Sequence, residues 1–280
     1  MILFPNCKIN LGLRVTGKRA DGYHDLETVF YPIPLKDALE VVQCPAKQGH
    51  PDRFELTVTG TTIPGNISEN LCTKAWKLIA GDFDIPAVKI HLHKAIPTGG
   101  GLGGGSSDGA HTLLLLNEEL KLNIPEEKLL EYALRLGSDC PFFIHNKPCY
   151  ATGRGEIMEA IDIDLHEYHF VVVNPGIHVS TAEAFQQIVP GKRYERTLRE
   201  IMSDKIETWK EQLVNDFEGP IFGRHSSMRA IKDQLYDAGA SYAAMTGTGS
   251  CIFGIFHNSK KTANLLAGKN YKVYILNQPN

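Results

Sequence analysis

Between Cys7 and Val15, apolar and polar residues alternate without a break: Cys7, Ile9, Leu11, Leu13 and Val15 against Lys8, Asn10, Gly12 and Arg14. A strand repeats its side-chain direction every second residue. The pattern therefore predicts a strand whose odd positions build the core, while Lys8 and Asn10 leave on the opposite, exposed face. Asp21-Gly22 marks a turn, and residues 26–33 read as the returning strand. The same period recurs where Val88, Ile90 and Leu92 alternate with Lys89, His91 and His93. Helical patterns take over elsewhere. Asn70 suits the cap of a helix carrying Leu71, Ala75, Leu78 and Ile79 on one side, and Ser106 begins a Leu-rich helix. Pro125 opens a further helix that Gly137 ends, and Ser226-Ser227 cap a last one that stops at Gly239. Residues 169–174, 242–245 and 251–256 are apolar strands, and residues 190–218 read as a charged, helical surface region anchored by Ile201, Ile206, Trp209 and Leu213. Short strands and turns from Cys149 to Asp164 suggest a domain boundary, giving domains 1–152 and 153–280 of α+β class. Residues 44–68 carry no motif that can be used.

The run Pro97-Thr98-Gly99-Gly100-Gly101-Leu102-Gly103-Gly104-Gly105-Ser106-Ser107 joins one of these strands to one of these helices. Glycines let backbone N–H groups crowd round an anion in conformations a β-carbon forbids, and the free N–H groups of a helix start add to that cradle. A flexible linker would be polar on both sides, which this run is not. A P-loop needs Lys then Ser/Thr after its last glycine, and Ser106 follows Gly105 here. The dinucleotide spacing is met by Gly99, Gly101 and Gly104, but Glu118 and Glu119 fall at the end of a helix rather than closing a second strand. Strand, glycine loop and helix thus point to a nucleotide phosphate chain.

Composition narrows the class. In 280 residues, 42% hydrophobic and 22% charged content is that of an ordinary globular protein. A net charge of -3 with no basic stripe argues against nucleic acid. No apolar run is long enough to span a bilayer, and no signal-peptide pattern opens the chain, so a cytoplasmic protein without membrane partners is expected. The six cysteines, Cys7, Cys44, Cys72, Cys140, Cys149 and Cys251, form no C-x-x-C pair and read as reduced. His91 and His93 share a strand face and read as a solvent-facing pair rather than a metal site.

Three segments look like parts of one site: Lys8 with Asn10, the glycine run, and Leu136-Gly137-Ser138-Asp139-Cys140-Pro141-Phe142-Phe143, where a lone carboxylate sits among apolar residues. Acids rarely occupy such surroundings unless paired, so Asp139 is either a helix cap or a functional group. Thr246-Gly247-Thr248-Gly249-Ser250 is a second glycine loop, or else a plain hairpin turn.

Taken in order, these segments resemble the GHMP kinases, with an N-terminal strand, a Pro-led Gly-Leu-Gly loop ending in Ser-Ser, and a late glycine loop. The resemblance runs nearly the whole length. It is reinforced by Arg19-Ala20-Asp21-Gly22-Tyr23-His24, Glu69-Asn70-Leu71, Gly153-Arg154-Gly155-Glu156, Pro175 to Thr181 and Asn215-Asp216-Phe217-Glu218. Cys7, Gly109, Cys140 and Ser250 depart from the family pattern. The resemblance implies a two-domain fold, an N-terminal ATP-binding domain and a C-terminal ferredoxin-like α/β sandwich domain, with the active site in the cleft. It implies ATP and Mg2+, with Asp139 as general base, Lys8 as its electrostatic partner, Pro97 to Ser107 on the ATP phosphates, and Ser106 or Ser107 as a Mg2+ contact. The Arg19 to His24 segment is similar to the branch acting on a polyol that bears cytidine diphosphate. There Tyr23 and Phe185 would stack on cytosine, His24 would read its edge, and Asn10 and Thr181 would lie close to the substrate. A relative acting on mevalonate, homoserine or a sugar, and a nucleotide-binding protein without chemistry, are the alternatives.

Overall fold

The computed structural model describes residues 1–44, 53–257 and 271–277. Two compact units emerge, and each draws on separated stretches of chain. The first comprises Met1–Cys7, Leu35–Thr98 and Gly103–Asn146; the second comprises Lys8–Pro34, Gly99–Leu102 and Lys147–Asn280.

In the first unit, the strand Val88–Lys94 lies centrally, antiparallel to Ala38–Gln43 and parallel to Phe54–Gly60. Its even positions, Val88, Ile90, Leu92 and Lys94, are all buried. The helices Leu71–Asp82, Gly104–Glu119, Glu126–Leu136 and Cys140–His145 complete this unit. Asn70 caps the first of them, its side chain accepting from the Cys72 N–H at 2.9 Å. The Leu-rich helix begins at Gly104 rather than at Ser106. A β-carbon on Gly104 would come within 2.8 Å of Ile96 Cγ2, so the last glycines of the run adopt helical angles because the helix must start hard against the entering chain. Phe54–Gly60 falls in the stretch from which the sequence pattern gave nothing.

The second unit holds two sheets. In one, Asn6–Lys18 lies at the edge beside His24–Lys36, followed by Cys149–Gly153 and Ile157–Ala160. The returning strand is longer than residues 26–33 and contains Pro32 and Pro34. The other sheet has the order Tyr242–Met245, Ile252–Phe256, His169–Asn174, Lys272–Asn277, all antiparallel. In chain order this is 2-3-1-4, the order of a ferredoxin-like sheet. Its core gathers Val171, Val173, Phe217, Met228, Ile231, Met245 and Ile252. Residues 190–218 contain only short helices, Leu198–Met202 and Trp209–Gln212 among them, but Ile201, Ile206, Trp209 and Leu213 are buried as anchors. The helix Ser226–Asp237 has His225 at its N-cap position with no side-chain cap bond. Ser226 and Ser227 lie inside its first turn and do not cap it, because the chain enters the helix one residue earlier than a serine cap requires.

The outer edge of Asn6–Lys18 is occupied by loops of the same unit. The Lys8 N–H donates to Leu102 O, Leu13 exchanges bonds with Val214 O and Asp216 N–H, and Gly191 N–H donates to Val15 O. The Val15 N–H donates to the Asp216 carboxylate at 2.8 Å.

Candidate active site

The odd residues of the first long strand are buried as expected. The even ones are not exposed: Lys8 and Asn10 each keep 3% of their surface. A pattern of polar residues implies a solvated face only if nothing far along the chain covers it, and here the loop 246–250 does. The Asn10 N–H donates to Thr246 Oγ1 at 3.1 Å, and Gly247 N–H donates to Asn10 Oδ1 at 3.0 Å. The same carboxamide oxygen accepts from Lys8 Nζ at 2.7 Å, while Asn10 Nδ2 donates to Thr28 Oγ1 at 2.9 Å. Thr246 Oγ1 lies 3.1 Å from the Gly101 carbonyl, its acceptor. Lys8 Nζ also stands 4.7 Å from the centre of the Phe30 ring, whose face favours a cation. Asn10 thereby fastens a buried ammonium and the late glycine loop to one oxygen.

The two glycine loops meet backbone to backbone in this unit. A β-carbon on Gly101 (φ +76°) would lie 2.1 Å from Thr246 O, a contact that only glycine permits. The Cys251 N–H donates to Gly100 O at 3.1 Å. The stretch 246–250 is therefore part of the glycine-loop assembly as well as a connection between strands.

Tyr23, 55% exposed, presents its ring beside the Arg154 guanidinium, 4.6 Å from the ring centre. The turn that holds it is tightly bonded: Asp21 Oδ1 accepts from the Tyr23 N–H at 3.1 Å, and Arg19 Nε donates to the same carboxylate. The Tyr23 N–H bond, followed by the Arg19 bond, holds the Asp21 carboxyl below its usual range. His24 and Phe185 stack on each other, with ring centres 4.9 Å apart and planes at 24°. Phe185 is half-buried and packs edge-on against Phe217, so it belongs partly to the core. Thr181 is exposed at the start of Thr181–Gln186, its hydroxyl 3.3 Å from that of Thr248.

In the first unit, Pro97 is buried and Thr98 exposed. Gly103 (φ +69°) turns the chain into the helix Gly104–Glu119, whose early residues are Gly105, Ser106 and Ser107. Ser106 is half-buried and hydrogen-bonds the Cys140 thiol, which burial pushes up to about 12. Ser107 is fully buried, 3.3 Å from His111 Nδ1. The His111 Nδ1–H donates to Ser107 O at 2.9 Å, and burial lowers the pKa of the ring. Asp139 is half-buried at the N-cap position of Cys140–His145, and its side chain makes no cap bond there. His91 and His93 are exposed, with Thr59 Oγ1 2.9 and 3.0 Å from their ring nitrogens.

Two features escaped the sequence reading. One is Thr28, which joins Asn10 to Gly12 O at 2.6 Å. The other is a buried ion cluster at the root of the glycine run. Lys94 Nζ donates to Asp37 and, at 2.7 Å, to Asp108, with none of the three side chains more than 3% exposed. Burial beside a second carboxylate pushes Asp108 up to about 8, and its Oδ1 has no hydrogen-bond partner among the described residues. Lys94 had a signal, since it shares the inward phase of Val88, Ile90 and Leu92.

The GHMP kinase N-terminal domain model matches residues 70–147, and the GHMP kinase C-terminal model matches residues 196–275. A 4-diphosphocytidyl-2-C-methyl-D-erythritol kinase of Bacteroides fragilis is 48% identical over 266 residues, 95% of each chain. The chain belongs to the 4-diphosphocytidyl-2-C-methyl-D-erythritol kinase family. A relative in that family from Parabacteroides distasonis is 47% identical over 256 residues, covering 91% of this chain and 92% of that one. A crystal structure of a 4-(cytidine 5'-diphospho)-2C-methyl-D-erythritol kinase covers 100% of both chains with a TM-score of 0.82 at 28% identity. A mevalonate kinase from Methanococcus jannaschii shares the two-domain fold, with a TM-score of 0.73 at 16% identity. Among the described residues, no helix is long and apolar enough to cross a membrane.

Proposed function

We propose that this chain transfers the γ-phosphoryl group of ATP to the 2-hydroxyl of 4-diphosphocytidyl-2-C-methyl-D-erythritol, giving the 2-phosphate and ADP in the non-mevalonate route to isopentenyl diphosphate. The acceptor follows from the family, whose members match this chain over nearly its full length. The observation that carries phosphoryl transfer is the bonding of Asn10 Oδ1 by Lys8 Nζ and the Gly247 N–H, which fixes a cation and a glycine loop to one strand.

Phosphoryl transfer asks a protein mainly for positioning and charge neutralisation. Asp139 accepts the proton of the attacking hydroxyl, a role supported by a half-buried carboxylate at the start of Cys140–His145. Lys8 supplies positive charge to the reacting oxygens, and Asn10 holds its ammonium in place. Residues 97–107 receive the ATP phosphates on backbone N–H groups. Mg2+ would add charge neutralisation on the phosphates. It characteristically keeps several waters and binds through substrate phosphates with few protein ligands. Of the two serines, half-buried Ser106 is the better contact, because Ser107 is enclosed against His111. Tyr23, braced by Arg154, offers its face to the cytosine, while His24, Phe185 and Thr181 line the substrate side. The family segments 70–147 and 196–275 fall on either side of residue 152, which supports a boundary there between domains 1–152 and 153–280, whereas by compactness Lys8–Pro34 and Gly99–Leu102 group with the later residues. Six scattered cysteines with no C-x-x-C pair support a reducing, cytoplasmic setting.

The test is ADP release from MgATP with the cytidylyl substrate, run beside mevalonate, homoserine and galactose. Turnover with the first alone is expected, and turnover only with another alcohol would overturn the acceptor. Asp139→Asn should lower kcat by about 10²–10⁴-fold, the usual contribution of a general base. A loss of less than a few-fold would remove Asp139 from that role.

A further inference from the structure

The glycine run is entered through Ala95 and Ile96 and left through the first turns of Gly104–Glu119. Both ends are fastened to one buried cluster in the first unit. At the entrance, Asp37 Oδ1 accepts from the Ala95 N–H at 2.6 Å and from the Ile96 N–H at 2.9 Å. At the exit, Lys94 Nζ, which also bonds Asp37, donates to Asp108 Oδ2 at 2.7 Å. The Gly104 position completes the pinch: a β-carbon there would meet Ile96 Cγ2 at 2.8 Å and Lys94 Nζ at 3.4 Å. Two carboxylates against one ammonium in an apolar interior are a poor way to gain stability, since desolvation offsets much of the attraction. What such a set does supply is fixed geometry, through the bonds that Asp37 and Lys94 make to the chain at the entrance and the exit.

We propose that Lys94, Asp37 and Asp108 are positioning residues that set the distance between the entrance and exit of the glycine run, and so tune its grip on the nucleotide phosphates. The inference rests on the reading of that run as the ATP site. The cluster acts through the loop backbone, so its loss weakens the nucleotide and leaves the acceptor alcohol alone.

The test pairs Lys94→Met with Asp108→Asn in one chain. This cuts the tie between strand and helix while keeping volume and the formal charge of the cluster. Binding of a fluorescent ATP analogue with Mg2+ is measured on wild type and variant, together with KM for each substrate and thermal unfolding. Wild type that fails to bind MgATP overturns the ATP reading itself, and this inference with it. Given wild-type binding, a folded double variant should bind MgATP at least tenfold more weakly, with KM for the acceptor within twofold. A folded variant whose loss is smaller, or is shared equally by the acceptor, overturns the inference. Should the double variant not fold, the single Asp108→Asn decides. At least a twofold selective loss of MgATP affinity supports the cluster's role, and a smaller one overturns it.

Discussion

At the scale of single residues, the candidate site is made of groups committed to particular partners. Tyr23 is held from behind by Asp21 and flanked by Arg154, leaving an aromatic surface more than half exposed. Stacking of one base on such a ring is worth about 1–3 kcal/mol, so Tyr23→Ala should raise KM for the cytidylyl substrate by about 5-fold to about 160-fold. KM for ATP should stay within twofold, and an equal rise in both would sink the cytosine platform. His111 gives a pH dependence with a definite sign. Folding buries its ring in the neutral form, whereas the unfolded ring takes a proton near its ordinary pKa of 6.5. The stability that neutral His111 contributes is present above that pH and lost as pH falls below it, through the lowered folded value. Urea midpoints at pH 7.5 and 5.5 should therefore differ more for wild type than for His111→Gln.

Among elements, what the sequence disclosed and what it hid have one physical cause. Period two identified the strand from Cys7 to Val15 because every odd residue must enter a core. It assigned the even face wrongly because the cover, Thr246 and Gly247, lies more than 200 positions away in the chain. Short helices such as Cys140–His145 and Thr181–Gln186 were illegible, since six residues cannot display a helical period. The glycine run and Lys8 stood out because that many glycines in a row, and a lysine within an apolar strand, are residue types that packing alone does not demand. The Lys94 cluster was missed because a lysine at a strand end reads as solvated by default. Gly109 shows the same dependence on tertiary context. It sits mid-helix, where alanine would gain about 1 kcal/mol of helix propensity. Its β-carbon, however, would stand 2.9 Å from Leu71 Cβ and 3.4 Å from Leu136 Cδ1. Overpacking of that kind costs about 1–3 kcal/mol, so Gly109→Ala should destabilise on balance. Denaturation in urea checks this, and a higher midpoint would mean that the helices can part.

For the whole molecule, both glycine loops converge on the strand that carries Lys8, and that strand forms the margin of its sheet. Family membership and the ferredoxin-like strand order agree with the architecture read from the motifs. A margin of this length, with its unused backbone groups exposed, would be a template for another chain to add to, and a route to insoluble assemblies. Here Leu102, Thr246, Val214, Asp216 and Gly191 occupy those groups in turn. The loops that shape the site thus also keep the sheet from recruiting its own kind. Asp216→Ala frees the Val15 amide and should hasten growth of light scatter and thioflavin fluorescence on mild heating, before any change in activity at low temperature. Unchanged scatter would mean that the remaining loop bonds suffice. Selection for catalysis and selection against polymerisation then act on the same stretch of backbone, so a loop variant can fail in the cell by clumping while its chemistry is intact.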